Sequence, residues 1–330
     1  MAFPPIPAIG IVGLGQIGGS IALDMVGKTQ VSFFARSAKT QQEGANAGIE
    51  VAMTLGELAA RSDIIFVAVP VDQTVSVLSS LSPHLQSGQI VTDVSSTKER
   101  LVQAAEAISW PDGVEFIGGH PMAGTDKPGF AAAQKGMFRN RTWIFTADGN
   151  ERDASRDACL RLANLVTAEL GARVAVMDSN THDRSVALVS HLEHVIALTL
   201  VNLVRDSNYS EMVSRLAAGS FLDATRVSKS ASSMVVPFLA DNRYLSAVSS
   251  EFRAEFSRIC NQLGQPKNLL RLWDEGSDWR TRHEEAIREV ERLELPLDSA
   301  TVAEIMHLTR EGKFVLNLEE NGGRVLLELG

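Results

Sequence analysis

The sequence predicts an α/β protein in which a parallel, doubly wound sheet is followed by an all-helical half. Three observations predict it. Short β-branched runs alternate with helix-like stretches over the first half. A G-x-G-x-x-G string, Gly13-Leu14-Gly15-Gln16-Ile17-Gly18, opens the first helical stretch. From Thr181 the chain changes to long helical periodicity with few strand signals.

The strand candidates are Ile9–Val12, 31–35, 64–69, Ile90–Asp93 and 114–117, most of them apolar throughout, as strands are when helices cover both faces of a parallel sheet. After the first, Ile17, Ile21, Ala22, Met25 and Val26 recur at three-to-four spacing and form one apolar helical stripe. Strands at 142–145 and 173–176 flank a helix over 151–170 and extend the sheet to residue 178. Beyond it, 186–204, 244–263 and 278–293 are long enough for core helices. At the end, apolar runs at 314–318 and 324–327 flank Glu319, Glu320, Asn321, Gly322 and Gly323, which predicts a hairpin with a five-residue loop.

Composition narrows the function classes. The chain has 330 residues, 45% apolar and 22% charged, enough for two domains and typical of a soluble globular protein. No window approaches the roughly 20 apolar residues that span a bilayer. The start, MAFPPIPAIG, lacks the basic region and long apolar core of a leader, so a cytoplasmic protein is expected. Cys159 and Cys260 lie in separate apolar-periodic segments and read as buried thiols. A formal charge of −9 argues against nucleic acid or an anionic membrane as partner, yet a local Arg/His cluster can still receive a small anion.

The glycine string follows a strand and opens a helix, the setting of a Rossmann-type dinucleotide fingerprint. Gly13 then makes the tight turn, Gly15 admits the pyrophosphate, Gly18 lets helix and strand approach, and the phosphates sit against the positive helix end, with Gln16 and Ile17 among the candidate cofactor contacts. The residue ending the second strand distinguishes the two nicotinamide cofactors. Here it is Ala35 rather than a carboxylate, followed by Arg36, Ser37 and Lys39, which suit a 2'-phosphate, so NADP is expected over NAD. Val69, Pro70 and Ser95, at the ends of later strands, complete the candidate cofactor contacts.

Polar residues gather where such sheets bind ligands. Asp93-Val94-Ser95-Ser96-Thr97-Lys98 follows the fourth strand, and the loop GGHPMAGTD over 118–126 holds His120, an acid-base candidate. In the helical half, Ser190-His191-Leu192-Glu193-His194 sets two histidines three apart, and Asp223-Ala224-Thr225-Arg226 follows. No further ligand cluster accompanies the histidine pair, and no metal is expected.

Together these five motifs, in this order, resemble the prephenate and arogenate dehydrogenases of tyrosine biosynthesis, over about residues 8 to 300. The resemblance implies an NAD(P)-dependent oxidative decarboxylation. It makes His120 the catalytic histidine on the substrate hydroxyl, Ser96 its partner there and Arg226 the holder of the ring carboxylate. His194, Asp223, His191, Thr125 and Asp126 stand near the substrate. Asp126 replaces a common Glu, Leu222 a common basic residue, and Lys229-Ser230-Ala231-Ser232 an S-D-P-like run, so prephenate, arogenate and an amino-substituted analogue all stay open. Two other classes compete. A β-hydroxyacid dehydrogenase would carry a methionine in the glycine string and a lysine on the first long helix, and an inactive cofactor-binding protein would lack His120, Ser96 or Arg226. The expected division is a dinucleotide-binding domain over 1–178, a helical substrate and dimerisation domain over 179–310, and a hairpin-like tail over 311–330, in a homodimer.

Overall fold

A computed structural model describes residues 6–148, 153–286 and 290–330. The first five residues of the leader comparison, 151–152 of the expected helix and 287–289 lie outside the described residues. The N-terminal half builds β1 (Ile9–Val12), α1 (Gln16–Met25), β2 (Val31–Phe34), α2 (Ala38–Asn46), β3 (Glu50–Val51), α3 (Leu55–Ala60), β4 (Ile64–Val67), α4 (Val71–Leu81), β5 (Ile90–Asp93), α5 (Glu99–Glu106) and β6 (Glu115–Ile117). All pairings are parallel in the order β3-β2-β1-β4-β5-β6. The strand order reverses beside β1, which opens a crevice at the carboxyl ends of the strands. The unbroken apolar runs follow from burial on both faces: Ile11, Phe33 and Phe66 join one core, while Val12, Val67 and Val91 join another.

The sheet does not simply continue to residue 178. After β6 the chain starts a second sheet with β7 (Gly119–Pro121), β8 (Thr142–Thr146), α6 (Asp153–Leu170) and β9 (Arg173–Met177). The stretch around His120, expected as an irregular loop, is therefore a short strand, antiparallel to β8 with His120 opposite Ile144. Its glycines and proline masked a strand pinned by ladder bonds to a distant segment.

Asp178 caps the next helix by accepting from the Thr181 amide at 2.7 Å. That helix, α7 (Ser179–Val186), runs through a π-helical turn over Ala187–His191 into α8 (Leu192–Arg205). The helical half is completed by α9 (Ser210–Arg215), α10 (Gly219–Thr225), α11 (Ser232–Asp241), α12 (Leu245–Cys260) and α13 (Pro266–Ala286). Contrary to the composition-based expectation, Ser179–Arg205 is a 27-residue rod long and apolar enough to cross a bilayer. It carries buried His182, Asp183 and His191, however, and Asp183 ties it to the start of α5. The buried core of this half is small, formed by Ala187, Leu192, Leu245 and Val248, whereas Leu203, Leu216, Leu263 and Trp273 are each more than half exposed.

The helix expected over 278–293 gives way to β10 (Glu291–Pro296), followed by α14 (Thr301–Arg310), β11 (Val315–Asn321) and β12 (Arg324–Leu329). The hairpin zips further than expected, to a two-residue turn, because Gly322 and Gly323 both take positive φ. It is not a free tail. The second sheet has the order β10-β12-β11-β9-β8-β7, so the C-terminal segment returns to the N-terminal lobe. Leu318, Leu327 and Ile305 share a core with Phe145 and Val174. Asn164 Nδ2 donates to the Leu318 carbonyl at 2.7 Å, and Thr309 Oγ1 accepts from the Val176 amide at 3.1 Å. Leu327→Ala is therefore expected to destabilise the N-terminal lobe by about 2–5 kcal/mol in chemical denaturation, and an unchanged midpoint would rule out a shared core.

Candidate active site

A cavity of about 910 Å³ lies between the carboxyl ends of the first sheet and α11. One end is the glycine-rich turn. Gly13 has φ +94°, and a Cβ there would lie 2.5 Å from the Ala68 carbonyl oxygen; at Gly18 a Cβ would lie 2.2 Å from that of Gly13. Both contacts press α1 against the sheet. Gly15 instead faces open space, and the first turn of α1 has no side-chain cap, leaving its amides free for an anion. This cradle fits a dinucleotide pyrophosphate. Ile17, Val69, Pro70, Ser95 and Ser96 line the same cavity.

Two of the expected cofactor contacts also bind the protein itself. Gln16 is buried, and its side-chain amide clamps the loop after β7: it donates to Thr125 Oγ1 and to the Lys127 carbonyl at 3.2 Å, and accepts from the Thr125 amide at 2.8 Å. Only its backbone remains for a phosphate. Ser95 is buried with its hydroxyl 3.0 Å from that of Thr74. At the far end, Arg36 donates to Gln73 Oε1 at 2.8 Å and Gln73 lines the cavity, while Ser37 caps α2 and Lys39 stays exposed.

The centre rests on buried charge. Asp93 ends β5 with its carboxylate paired to Lys98 Nζ, and it also accepts the Ser95 amide at 2.8 Å and the Gly119 amide at 3.0 Å. Burial pushes the Lys98 pKa down against the pull of Asp93. The Gly119 bond fixes the start of β7 and so presents the next residue, His120, to the cavity that Ser96 also lines. His120 Nδ1 lies 2.8 Å from His182 Nε2, and His182 Nδ1 lies 2.7 Å from Asp183 Oδ1. Asp183 also accepts the Lys98 amide at 2.7 Å and the Glu99 amide at 3.0 Å. Burial, and then the nearby His182, Lys98 and His191, push the His120 pKa well below its ordinary value. The imidazole is thus neutral at physiological pH. Burial lowers the His182 pKa in the same way and raises that of Asp183.

The helical half lies less fully over the cavity. Phe238 lines it and has its ring against both His191, centroids 4.5 Å apart, and His194, 5.2 Å apart, so both histidines stand behind that ring. His191 Nδ1 is 3.0 Å from Asn242 Nδ2, and burial lowers its pKa to about 4. Asp223 and Arg226 are exposed and outside the cavity lining, and their side chains make no hydrogen bond or ion pair with the described residues. Thr125 is exposed and held by Gln16, and Asp126 is half-buried outside the lining. Sequence inspection passed over His182, Asp183, Phe238 and Asn242. The signal for the first two was a His-Asp pair one turn into a helix that begins directly after a strand.

Comparisons with known proteins agree with this geometry. The family profile described as the prephenate dehydrogenase nucleotide-binding domain matches residues 22–176, and that of the prephenate dehydrogenase dimerization domain matches residues 178–271. The chain is 32% identical to the prephenate dehydrogenase of Bacillus subtilis over 82% of its own length and 74% of that protein. A putative prephenate dehydrogenase from Corynebacterium glutamicum superposes with a TM-score of 0.80 at 27% identity, covering 94% of this chain and 98% of that one. The Synechocystis arogenate dehydrogenase gives 0.68 at 28% identity, over 84% and 99%. By sequence and by fold, the chain belongs to the prephenate dehydrogenase family.

Proposed function

We propose that the protein catalyses the NADP-dependent oxidative decarboxylation of prephenate to 4-hydroxyphenylpyruvate. The observation that carries this is His120: an imidazole anchored through Nδ1 that lines one cavity with Ser96 and a dinucleotide cradle. NADP, when bound, supplies the hydride acceptor. His120 Nε2 takes the proton of the substrate hydroxyl as its carbon is oxidised, and Ser96 holds the same oxygen. The ring carboxylate leaves as carbon dioxide, its electron pair closes the aromatic ring, and His120 returns the proton to the phenolic oxygen. Arg226, a free guanidinium on the helical half, is the residue we assign to that carboxylate, with Asp223 and His194 on the adjoining helices. His191, Thr125 and Asp126 support the substrate from behind.

Preference for NADP rests on Ala35 at the end of β2, where no carboxylate repels a 2'-phosphate, and on the exposed Arg36, Ser37 and Lys39 beside it. The apolar faces left exposed by the helical half, in a segment that matches a dimerization domain, support a homodimer. On this assignment residues 1–178, completed by 291–330, hold the cofactor, and the intervening helices hold the substrate and pair the chains. We place the enzyme in the cytoplasm, in keeping with two unpaired cysteines.

Initial rates with prephenate and arogenate, each with NAD and NADP, test the assignment directly. Prephenate with NADP should give the highest kcat/KM, and no turnover of either acid would defeat it. Arg36→Ala should lower kcat/KM by about 10- to 100-fold with NADP and leave NAD unaffected, as loss of a charged hydrogen bond requires. His120→Asn should cut kcat by about 10²- to 10⁴-fold. Protonation removes the base, so activity falls as pH drops through the His120 pKa. Since burial above all, and then the neighbouring His182, Lys98 and His191, lower that pKa, wild-type kcat/KM should show no loss at the ordinary imidazole pKa of 6.5 and fall only in more acidic buffer. Light scattering at micromolar concentration should detect two chains per particle, and a monomer would overturn the dimer.

A further inference from the structure

The chain His120–His182–Asp183 has a direction that hydrogen-bond chemistry fixes. Asp183 is 2% exposed, and three nitrogens converge on its carboxylate. Two are the backbone amides of Lys98 and Glu99 at the start of α5, which only donate. The third is His182 Nδ1, at 2.7 Å from Oδ1. A bare Nδ1 lone pair at that distance would face an oxygen lone pair, so Nδ1 carries the proton. The helix end of α5 further favours the ionised carboxylate. With Nδ1 protonated in a neutral ring, His182 Nε2 is an acceptor. The group 2.8 Å from it, His120 Nδ1, must then be the donor. His120 Nε2 is left with its lone pair, in a residue that lines the cavity and makes no other hydrogen bond with the described residues.

We infer that His182, backed by Asp183, is a positioning residue that holds His120 in its Nδ1–H tautomer and so makes Nε2 the base that meets the substrate hydroxyl. This rests on the assignment of His120 as base. The rings are tilted by 67° with centroids 5.1 Å apart, an edge approach that aims one nitrogen at the other rather than stacking the faces. His182 is fully buried and does not line the cavity, so it acts through His120 alone. When His120 takes the substrate proton, the imidazolium donates through Nδ1 to His182, whose own donor rests on the Asp183 carboxylate. Both states of the base therefore keep every bond in the chain.

The experiment compares wild type, His182→Phe and His182→Gln in the full-length protein. Phenylalanine keeps an aromatic ring without an acceptor, whereas the glutamine carbonyl oxygen can still accept from His120 Nδ1. Nitrogen NMR of the histidine rings should give a protonated Nδ1 and a bare Nε2 for His120 in wild type and in His182→Gln. In His182→Phe the Nε2–H form should appear. kcat should fall by about 10²- to 10⁴-fold in His182→Phe, the range for losing a correctly held acid-base group, with KM within about threefold, and recover largely in His182→Gln. A wild-type His120 protonated at Nε2 overturns the inference. So does a His182→Phe protein that keeps the Nδ1–H signal and full kcat. Should that variant fail to fold, the wild-type and His182→Gln spectra still decide. A correct tautomer together with an active His120→Asn would instead defeat the base assignment and leave the tautomer lock standing.

Discussion

Asp93 carries its carboxylate wholly inside the protein, at the point where the first sheet ends and the second begins, and three donors make that burial tolerable. An ion without such partners costs several kcal/mol after relaxation, and removing one member of a buried pair costs about 3–5 kcal/mol. Lys98 is equally enclosed and depends on Asp93 in the same way. The pair contributes little net stability over an apolar substitute. What it contributes is position. One oxygen holds the Gly119 amide and the other holds the Ser95 amide and Lys98, so the segment with Ser96 and the strand with His120 are fixed to a common point.

From that point the constraint spreads into the helical half. The Lys98 amide donates to Asp183, and Asn242, which ends α11, donates to the Asp183 carbonyl at 2.8 Å while also meeting His191. The helix that roofs the cavity with Phe238 therefore hangs from the carboxylate residue that orients His182. On the opposite wall, Gln16 binds the start of α1 to the loop after β7, so cradle and loop move together. These polar ties matter because the helical half has only a small apolar core of its own. Its position over the cleft depends on a few directional bonds more than on buried area.

How much of this was legible follows from how local each cause is. The strands of the first sheet are buried on both faces, so their sequences are apolar without interruption, and the glycine string announces its turn within six residues. His120 and Ser96 sit in short segments whose chemistry stands out from their neighbours. The His182–Asp183 pair does not. Its meaning depends on β7 and α5, which reach it from more than sixty positions away. Likewise β7 is a strand only because β8 pairs with it, and the C-terminal strands join the second sheet through an edge contact of Val315 with Val174. Gln16 lies inside a motif whose usual purpose concealed a second one. Asp223 in α10 and Arg226 at its end are exposed, and no side chain among the described residues pairs with theirs.

The surroundings of His120 look contradictory until both of its protonation states are considered. Burial, and after it the neighbouring His182 and Lys98, depress its proton affinity, which keeps the resting imidazole neutral and able to accept. The same forces oppose the imidazolium that must form once it accepts. Proximity to a bare carboxylate would relieve this but would also raise the resting pKa and disarm the base. Placing Asp183 one imidazole away separates the two effects. Its charge reaches His120 attenuated by distance while the hydrogen bonds stay unbroken, so burial governs the resting state and the polarised chain supports the charged one. A lone histidine in this cavity would have the first property and lack the second.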